Sequence, residues 1–375
     1  MSDTIRISID AMGGDKGPRV AVEGARLFWR ERKNTSFLLH GRQAELEPLL
    51  REFPDLAAVS RIIHCDNVIA MSEKPSQALR KGRGNSSMWA ALQSVRDGEA
   101  DVAISGGNTG ALMAMATFCL RPIEGISRPA IAAIWPTIRA DIVVLDVGAT
   151  VGGDAKQLTD FSILGAALAR ALFDQEQPTV GLLNVGTEEA KGREEVKEAS
   201  RILQAASGSG FIYHGFVEGD DIGKGTVDVV VTEGFAGNIA LKTAEGTARQ
   251  VGSYIRDALK ADFVSMLGAA LAGQALQALK RKLDPRNING GVFLGLNGVV
   301  IKSHGGTDEI GFKGALGLAY EMARNRVMDK IAEGLRRFPA LTAAPPAEPP
   351  AAAPPQTAPI LAAVDSPSES EAKPA

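Results

Sequence analysis

Short apolar runs alternate with longer amphipathic segments along most of the chain, and this rhythm constrains the fold more than any other feature. The runs have the length of β-strands and lie at residues 5–9, 37–40, 61–65, 101–105, 142–146, 179–184 and 227–232. The segments between them suit crossover helices and include residues 20–32, 158–173, 189–206 and 239–259. This order predicts an α/β fold with three α/β/α layers and a largely parallel sheet. Residues 291–302 differ, since they predict two short strands around a turn at residues 296–298.

Composition divides the chain into a long body and a short tail. Residues 1–338 are long enough for one large α/β/α domain that carries the chemistry, with a helical excursion at about residues 260–286. Residues 339–375 hold 10 of the 19 prolines and no aromatic residue, which predicts a disordered Pro/Ala-rich tail. The chain has 41 basic and 44 acidic residues, and this near balance argues against a nucleic-acid-binding protein.

The cysteines and the apolar runs indicate where the protein works. Cys65 and Cys119 are the two cysteines, and their spacing fits neither a disulfide framework nor a zinc site, which predicts a reduced, cytoplasmic protein. The first strand starts within a few residues of Met1, without a basic segment and an apolar segment ahead of it, so secretion is not expected. Charged residues or prolines interrupt every apolar run before the roughly 20 residues that cross a bilayer. Any membrane contact is therefore expected to be peripheral.

Five of the predicted strands run into glycine-rich turns, at residues 10–18, 105–110, 146–154, 184–186 and 233–238. In a parallel sheet these turns emerge at the carboxyl ends of the strands, where open α/β folds bind ligands. Glycine permits close approach to an anion, and a helix that starts after the turn offers unpaired N–H groups. The turns therefore predict one crevice for a phosphate-bearing ligand. Each turn taken alone is explained equally well by helix capping and tight turns.

The turns carry none of the ordinary nucleotide-binding patterns. Neither GxxxxGK[ST] nor a GxGxxG followed by a strand-end acid is present, which argues against a nucleoside triphosphatase. The strand-end acids Asp10, Asp146 and Asp154 raise the possibility of Mg²⁺, but such acids often cap turns, and we predict no metal. Neither cysteine has a local base that would make it a nucleophile, so an acyl-cysteine mechanism is disfavoured.

Three side chains beside these turns have the chemistry to act on an anion. Lys191 follows the turn at residues 184–186, and Lys242 lies one helical turn after Asn238, although both lysines have glutamate neighbours that would pair with them on a solvated surface. His304 lies in a glycine-flanked segment after the last predicted strand, a setting typical of functional loops.

Six strings in order resemble the PlsX-type phosphate acyltransferases of bacterial phospholipid synthesis, from about residue 5 to about residue 336. They are IDAMGGDKGP, SGGNTGALMAMA, LDVGA, LLNVGTEEAKG, VDVVVTEGFAGNIALKTAEG and the GG-FLGL-GVVIKSHG region. The resemblance implies a Rossmann-like sandwich similar to phosphotransacetylases and isocitrate dehydrogenase-type enzymes. It implies transfer of a long acyl chain from acyl carrier protein to inorganic phosphate, without a cofactor. The acyl phosphate product would serve a downstream glycerol-3-phosphate acyltransferase. The family is dimeric, cytoplasmic and peripherally associated with the inner face of the cell membrane.

The resemblance also implies a set of site residues. Lys191 would bind phosphate, Asn238 would stabilise the oxyanion of the attacked thioester, and His304 would shield or protonate the departing thiolate. The substrate and phosphate contacts would be Asp10, Gly13, Gly14, Gly107, Asn108, Thr109, Asn184 and Lys242. The chain departs from the usual family pattern at Gly106, Thr150 and Glu233, which leaves the roles of Thr150 and Glu233 open.

Two basic clusters are candidates for docking the acidic carrier protein, residues 80–83 and residues 280–282 with Arg286, although a solvated surface explains either alone. The apolar residues of the segment 262–283 predict either a membrane-surface helix or a dimer-interface or core helix. Two other functional readings remain, a nicotinamide-dependent dehydrogenase on a related fold and a non-catalytic acyl-carrier or lipid-surface scaffold.

Overall fold

A computed structural model describes residues 4–208, 210–277 and 290–336. Its strands are β1 (Ile5–Asp10), β2 (Thr35–Gly41), β3 (Ser60–His64), β4 (Val102–Ser105), β5 (Ala130–Pro136), β6 (Asp141–Leu145), β7 (Thr179–Leu183), β8 (Ile212–Val217), β9 (Val229–Val231), β10 (Gly291–Leu294) and β11 (Val299–Lys302). Its helices are α1 (Pro18–Glu31), α2 (Gln43–Arg51), α3 (Pro54–Ala57), α4 (Pro75–Gly82), α5 (Ser87–Arg96), α6 (Thr109–Leu120), α7 (Ala155–Phe173), α8 (Glu194–Ala206), α9 (Gly219–Lys224), α10 (Gly234–Leu259), α11 (Phe263–Leu271), α12 (Glu309–Arg324) and α13 (Val327–Arg336).

All eleven of these strands form one mixed sheet in the order β3-β2-β1-β4-β11-β10-β5-β6-β9-β7-β8. Seven of the ten neighbouring pairs are parallel, which confirms the predicted α/β fold and its largely parallel sheet. The predicted hairpin at the end of the body is also present, as antiparallel β10 and β11. Strands β5 and β8 were not predicted from the sequence.

The three antiparallel pairs reverse the strand direction halfway across the sheet. Strand β10 runs against β11 and β5, and β5 runs against β6. Strands β6, β9, β7 and β8 therefore run opposite to β1, β2, β3, β4 and β11. The carboxyl ends of β1, β4 and β11 lie at what we call the first edge of the sheet, and those of β6, β7 and β9 lie at the opposite, second edge. The expectation that all five glycine turns share one edge is wrong for this reason.

Side chains that alternate along the strands pack into two buried apolar clusters, one on each face. In β6, Val143 and Leu145 belong to one cluster, and Ile142 and Val144 belong to the other. Helices α1, α7 and α12 contribute to the first cluster, and α5 and α6 contribute to the second. A strand whose successive residues are all buried needs cover on both faces, so the three α/β/α layers follow from this pattern.

Helix α10 is packed against the rest of the protein mainly at its first turn, and most of its length is exposed or only partly buried. Of its 26 residues, Gly234 and Gly237 are buried. Helix α11 follows with exposed apolar side chains, among them Phe263 at 79% and Leu271 at 84% exposure. None of the described helices combines the length and the apolar content that a membrane span requires. The basic residues 280–282, Arg286 and the predicted tail at residues 339–375 lie outside the described residues.

Candidate active site

The turns after β1, β4 and β11 pack against one another at the first edge, backbone against backbone. A Cβ atom added to Gly13 would lie 2.7 Å from the amide nitrogen of Gly107 and from a carboxylate oxygen of Asp10. Gly14 has a φ of +109° and faces the carbonyl of Gly305. Glycine is required at these positions because larger residues would push the loops apart.

Asp10 fixes the shape of the turn that follows β4. The Ser105 hydroxyl donates to Asp10 Oδ2 at 2.6 Å, and the Gly107 amide donates to Ser105 Oγ at 3.0 Å. Asp10 is 2% exposed, and its Oδ1 has no hydrogen-bond partner among the described residues. Burial raises the pKa of Asp10, and the hydrogen bond from Ser105 opposes this shift. The geometry makes Asp10 and Ser105 positioning residues for the glycine turn.

The same turn presents free amide donors at the start of α6. Asn108 caps this helix by accepting from the Ala111 amide at 2.9 Å. Its own side-chain NH₂ donates to the carbonyls of Met71, at 2.5 Å, and Glu73, at 3.3 Å. Within the described parts of the chain, the amides of Asn108, Thr109 and Gly110 have no hydrogen-bond partner. Unpaired amides at the positive end of a helix dipole form a receptor for an anion.

Lys302 ends β11 beside this turn, and it was not singled out from the sequence. Its ammonium donates to the carbonyl of Gly106 at 3.4 Å and to the carbonyl of Ser303. Burial lowers the pKa of Lys302 to about 8, although the charges of Asp15 and Asp10 oppose the shift. The one sequence signal for this residue was a lysine at the end of an otherwise apolar strand.

His304 and Lys242 meet at the first edge from different elements. The Lys242 ammonium lies 3.1 Å from His304 Nε2, and it also pairs with Glu245 at 2.9 Å. An ammonium group only donates, so Nε2 is the acceptor and the proton of a neutral ring resides on Nδ1. Desolvation, and then the charge of Lys242, lower the pKa of His304, whereas Glu245 opposes the shift. Because the side chain is 61% exposed, we attribute the neutral ring chiefly to its cationic neighbours.

At the second edge, the turn after β6 has its amides occupied by a carboxylate of the chain itself. Asp146 accepts from the amides of Ile131, Gly148, Ala149 and Thr150, and from the Thr150 hydroxyl, at 2.9–3.2 Å. Burial raises the pKa of Asp146, and these hydrogen bonds oppose the shift. Every partner is a donor, so the set fits an ionised carboxylate and leaves little room for a second anion.

The start of α10 is occupied in the same way. Glu233 accepts from the amides of Gly152, Phe235 and Ala236 at 2.9–3.0 Å. The amide of Gly234 donates to the Thr150 hydroxyl at 3.0 Å. The two departures from the family pattern, Thr150 and Glu233, thus close this helix end. The expectation that every glycine turn offers free amides is wrong at this edge.

Asn238 lies on α10 between the two edges. Its Cβ and Oδ1 are 3.6 Å from the position that a Cβ of Gly148 would take. Its side chain is exposed and has no hydrogen bond to any described residue. Lys242 is four residues further along the same helix, so both side chains lie on one face of α10 and lead towards His304.

Asn184 and Lys191 belong to the loop that follows β7. The Asn184 side chain donates to the carbonyls of Gly186 and Lys191, both at 3.1 Å, and so closes the loop on itself. The Lys191 ammonium pairs with Glu188 at 2.8 Å, and the hydrogen bond that it donates to Glu188 raises the pKa of Lys191. In the described residues, no hydrogen bond or ion pair joins Lys191 to Asn238, Lys242 or His304.

The two cysteines of the chain are both buried. Burial raises the pKa of the Cys65 thiol to about 11 and also raises that of Cys119. No three His, Cys, Asp or Glu side chains of the described residues cluster closely enough to hold a metal ion. One open cavity, of about 790 Å³, lies at the opposite end of β1, where Ile5, Val299 and Tyr320 help to line it.

Comparison with solved structures bears on the fold. A phosphotransacetylase from Streptococcus pyogenes superimposes with a TM-score of 0.57 over 88% of this chain and 95% of that protein. The two sequences are 16% identical, so the likeness concerns the fold alone. It confirms the predicted similarity to phosphotransacetylases.

Comparison with curated proteins bears on the family. The phosphate acyltransferase of Chelativorans sp. (strain BNC1) is 59% identical over 343 residues, which make up 92% of this chain and 98% of that protein. The phosphate acyltransferase of Agrobacterium fabrum is 56% identical, and the match covers 92% of this chain and 97% of that protein. The model of a family described as fatty acid synthesis proteins matches residues 5–330. This agreement excludes the dehydrogenase and the non-catalytic scaffold, and the chain belongs to the phosphate acyltransferase family of enzymes.

Proposed function

We propose that the protein transfers a long-chain acyl group from acyl carrier protein to inorganic phosphate and releases acyl phosphate for phospholipid synthesis. The evidence for phosphate as the acceptor is the arrangement of donor groups at the first edge of the sheet. Three amides at the start of α6, which have no hydrogen-bond partner among the described residues, lie beside the glycine turn to which the Lys302 ammonium donates. Three amides and an ammonium group suit a small anion such as phosphate, and the chain has no motif for a triphosphate.

Phosphate needs orientation more than activation at this site. The second pKa of a phosphate group lies near neutrality, about 6 for a monoester, so phosphate arrives largely as a dianion with a nucleophilic oxygen. The amides of Asn108, Thr109 and Gly110 fix its oxygens, and Lys302 and Lys242 offset its charge. Asp10 acts indirectly, because it holds the Ser105 hydroxyl that in turn holds the Gly107 amide.

The thioester approaches between this receptor and α10. A phosphate oxygen attacks the thioester carbon, the carbonyl oxygen becomes an oxyanion, and the carbon–sulfur bond then breaks. The exposed Asn238 amide donates to the oxyanion, a contact whose loss typically costs about 10²–10³ in rate. The Nδ1–H of neutral His304 donates to the departing thiolate, which takes its proton from solvent. Acyl phosphate and the free thiol of the carrier are the products, and no acyl-enzyme forms.

Lys191 supplies a third cation in this proposal, from the loop that Asn184 closes. Its ammonium is paired with Glu188 on an exposed surface, so phosphate would compete with that carboxylate. An exposed ion pair of this kind contributes little stability, so replacing Glu188 with a substrate anion costs little free energy.

The exposed face of α11 suits a membrane surface, in a homodimer that passes acyl phosphate to a glycerol-3-phosphate acyltransferase at the inner face of the membrane. Phe263, Val264, Leu267 and Leu271 are all more than half exposed. Sedimentation with anionic vesicles tests this part. The Phe263→Glu/Leu267→Glu variant should stay in solution with its turnover retained, and unchanged sedimentation would contradict the role of α11.

The experiment for the reaction uses the purified protein with long-chain acyl carrier protein and inorganic phosphate. Hydroxylamine should trap acyl phosphate without added nucleotide, nicotinamide or metal. The Cys65→Ser/Cys119→Ser variant should be active, because no thiol takes part. Turnover that is independent of phosphate would contradict the function, whereas an isolable acyl-enzyme would contradict only the direct mechanism.

A further inference from the structure

We propose that the far ends of α4 and α6 form the docking surface for the acidic acyl carrier protein. This carrier-docking patch consists of Arg80, Arg83, Phe118 and Arg121. The inference rests on the proposed function, since it names the surface that delivers the thioester to the site described above.

The segment that contributes Arg80 and Arg83 to the patch is basic, although the chain as a whole carries a small negative net charge. Residues 71–85 hold four basic residues and one acidic residue, whereas the whole chain has a net charge of −3. The acidic residue, Glu73, is already paired with Lys81 at 3.2 Å. Among the described residues, the other three cations, Lys74, Arg80 and Arg83, have no carboxylate partner.

Several arginines elsewhere on the surface are instead paired with carboxylates. Arg19 pairs with Glu52 at 2.7 Å, Arg42 with Glu45 at 2.9 Å, and Arg61 with Glu99 at 2.8 Å. Charges that lack internal partners remain available for an acidic protein, and complementary potential of this kind raises the rate of encounter.

An exposed aromatic ring lies among these cations. Phe118 is 56% exposed on α6. The Arg83 guanidinium lies 6.0 Å from the Phe118 ring centre and 5.8 Å from that of Trp89. An aromatic residue with arginine beside it is the composition of protein interface centres, whereas a purely solvated face carries charges without an apolar centre.

The patch is connected to the phosphate turn by two helices that begin there. Pro75, at the start of α4, would lie 2.8 Å from a Cβ on Gly110, and Met115 of α6 would lie 2.7 Å from one on Gly82, so the helices run side by side. At 1.5 Å per residue, the nine steps from Thr109 to Phe118 span about 14 Å. A carrier protein bound at the far end could therefore extend its thioester arm along α6 to the amides that hold phosphate.

The test measures steady-state turnover of the full chain with two thioesters, acyl carrier protein and the same acyl group on pantetheine. Pantetheine carries the thiol arm but no acidic protein. For the Arg80→Glu/Arg83→Glu variant we expect KM for acyl carrier protein to rise about tenfold or more, with kcat retained. Turnover of acyl pantetheine should equal that of the unaltered protein. Added salt should reduce the difference in KM for acyl carrier protein between the variant and the unaltered enzyme, since salt screens the docking charges.

A matched variant separates docking from net charge. Lys197→Glu/Arg201→Glu makes the same charge change on α8, and its KM for acyl carrier protein should stay within about twofold of the unaltered value. Phe118→Ser should raise the same KM without any change of charge.

Three results would overturn the docking proposal: an unchanged KM for acyl carrier protein, an equal loss with pantetheine, or an equal effect of the α8 variant. Loss of vesicle binding with an unchanged KM would also overturn it and would assign the patch to lipid. If the unaltered protein turns over neither thioester with phosphate, the proposed function fails instead.

Discussion

The two edges of the sheet carry similar glycine-rich turns but present them differently. At the first edge, the amides of Asn108, Thr109 and Gly110 have no partner within the described residues. At the second edge, Asp146 and Glu233 accept from the equivalent amides. A glycine turn thus becomes an anion receptor only where no carboxylate of the chain has already filled it.

The lysines at the two edges also differ in how far they are already paired with carboxylates of the chain. Lys302 at the first edge donates to backbone carbonyls and forms no ion pair within the described residues, although the charges of Asp15 and Asp10 oppose the lowering of its pKa by burial. Lys191 at the second edge is exposed and paired with Glu188. An anion gains most where free amides and a cation without an ion-pair partner occur together, and among the described residues this combination occurs at the first edge.

The largest effect is expected from removing the cation of the first edge. Lys302→Met keeps the length of the side chain and should lower kcat/KM for phosphate at least about 10²-fold, because a charged contact to the anion is lost in a partly buried site. Lys313→Met, in an exposed pair with Glu31, is the control and should be unaffected. Near-normal turnover of Lys302→Met would contradict the claim that phosphate binds at the first edge.

The pH dependence of the reaction should report the same lysine. Lys302 is protonated below its pKa of about 8 and neutral above it. The rate constant kcat/KM for phosphate should therefore fall as pH rises through 8, by up to about tenfold per unit. Lys302→Arg keeps its charge at these values, so its alkaline limb should vanish. A limb that persists unchanged in this variant would assign the titration to another group.

A smaller effect is expected at the second edge. Lys191→Ala should raise KM for phosphate about tenfold, since it removes a more exposed cation that has to exchange Glu188 for substrate. Glu188→Gln is the control and should retain turnover, because it frees the ammonium. A loss as large as that of Lys302→Met would contradict the ranking of the two edges, because Lys191 would then contribute as much to phosphate binding as Lys302.

The smallest effect on turnover is expected where a carboxylate fills the turn. Glu233→Ala should lower the free energy of unfolding by about 1 kcal/mol, the usual cost of losing a helix cap. Its KM for phosphate should stay within about twofold. Chemical denaturation and steady-state kinetics on the same preparation measure both quantities. A large rise in KM with unchanged stability would place Glu233 in contact with substrate.

The sequence predicted the layers but not the reversal of the sheet. Runs such as those of β1, β6 and β7 are apolar enough to identify strands. Strand β5 is rich in alanine and ends at Pro136, and β8 contains His214 and Gly215, so neither has a strong strand pattern. The reversal depends on β5, and it could not be predicted once that strand was missed.

The sequence also predicted only part of the candidate site. The glycine turns and the glycine-flanked His304 are local sequence patterns, so they could be identified without the fold. The importance of Lys302 arises from contacts among loops nearly 200 and 300 residues apart, around Gly106 and Asp10. The difference between filled and free amides depends on where carboxylates such as Glu233 point, which local sequence does not specify.

A crystal structure of the protein soaked with inorganic phosphate tests the central claim most directly. We expect phosphate oxygens within hydrogen-bond distance of the amides of Asn108, Thr109 and Gly110, with the Lys302 ammonium in contact. Phosphate bound instead beside Lys191 or at the start of α10, with the amides after β4 unoccupied, would contradict the assignment of the first edge.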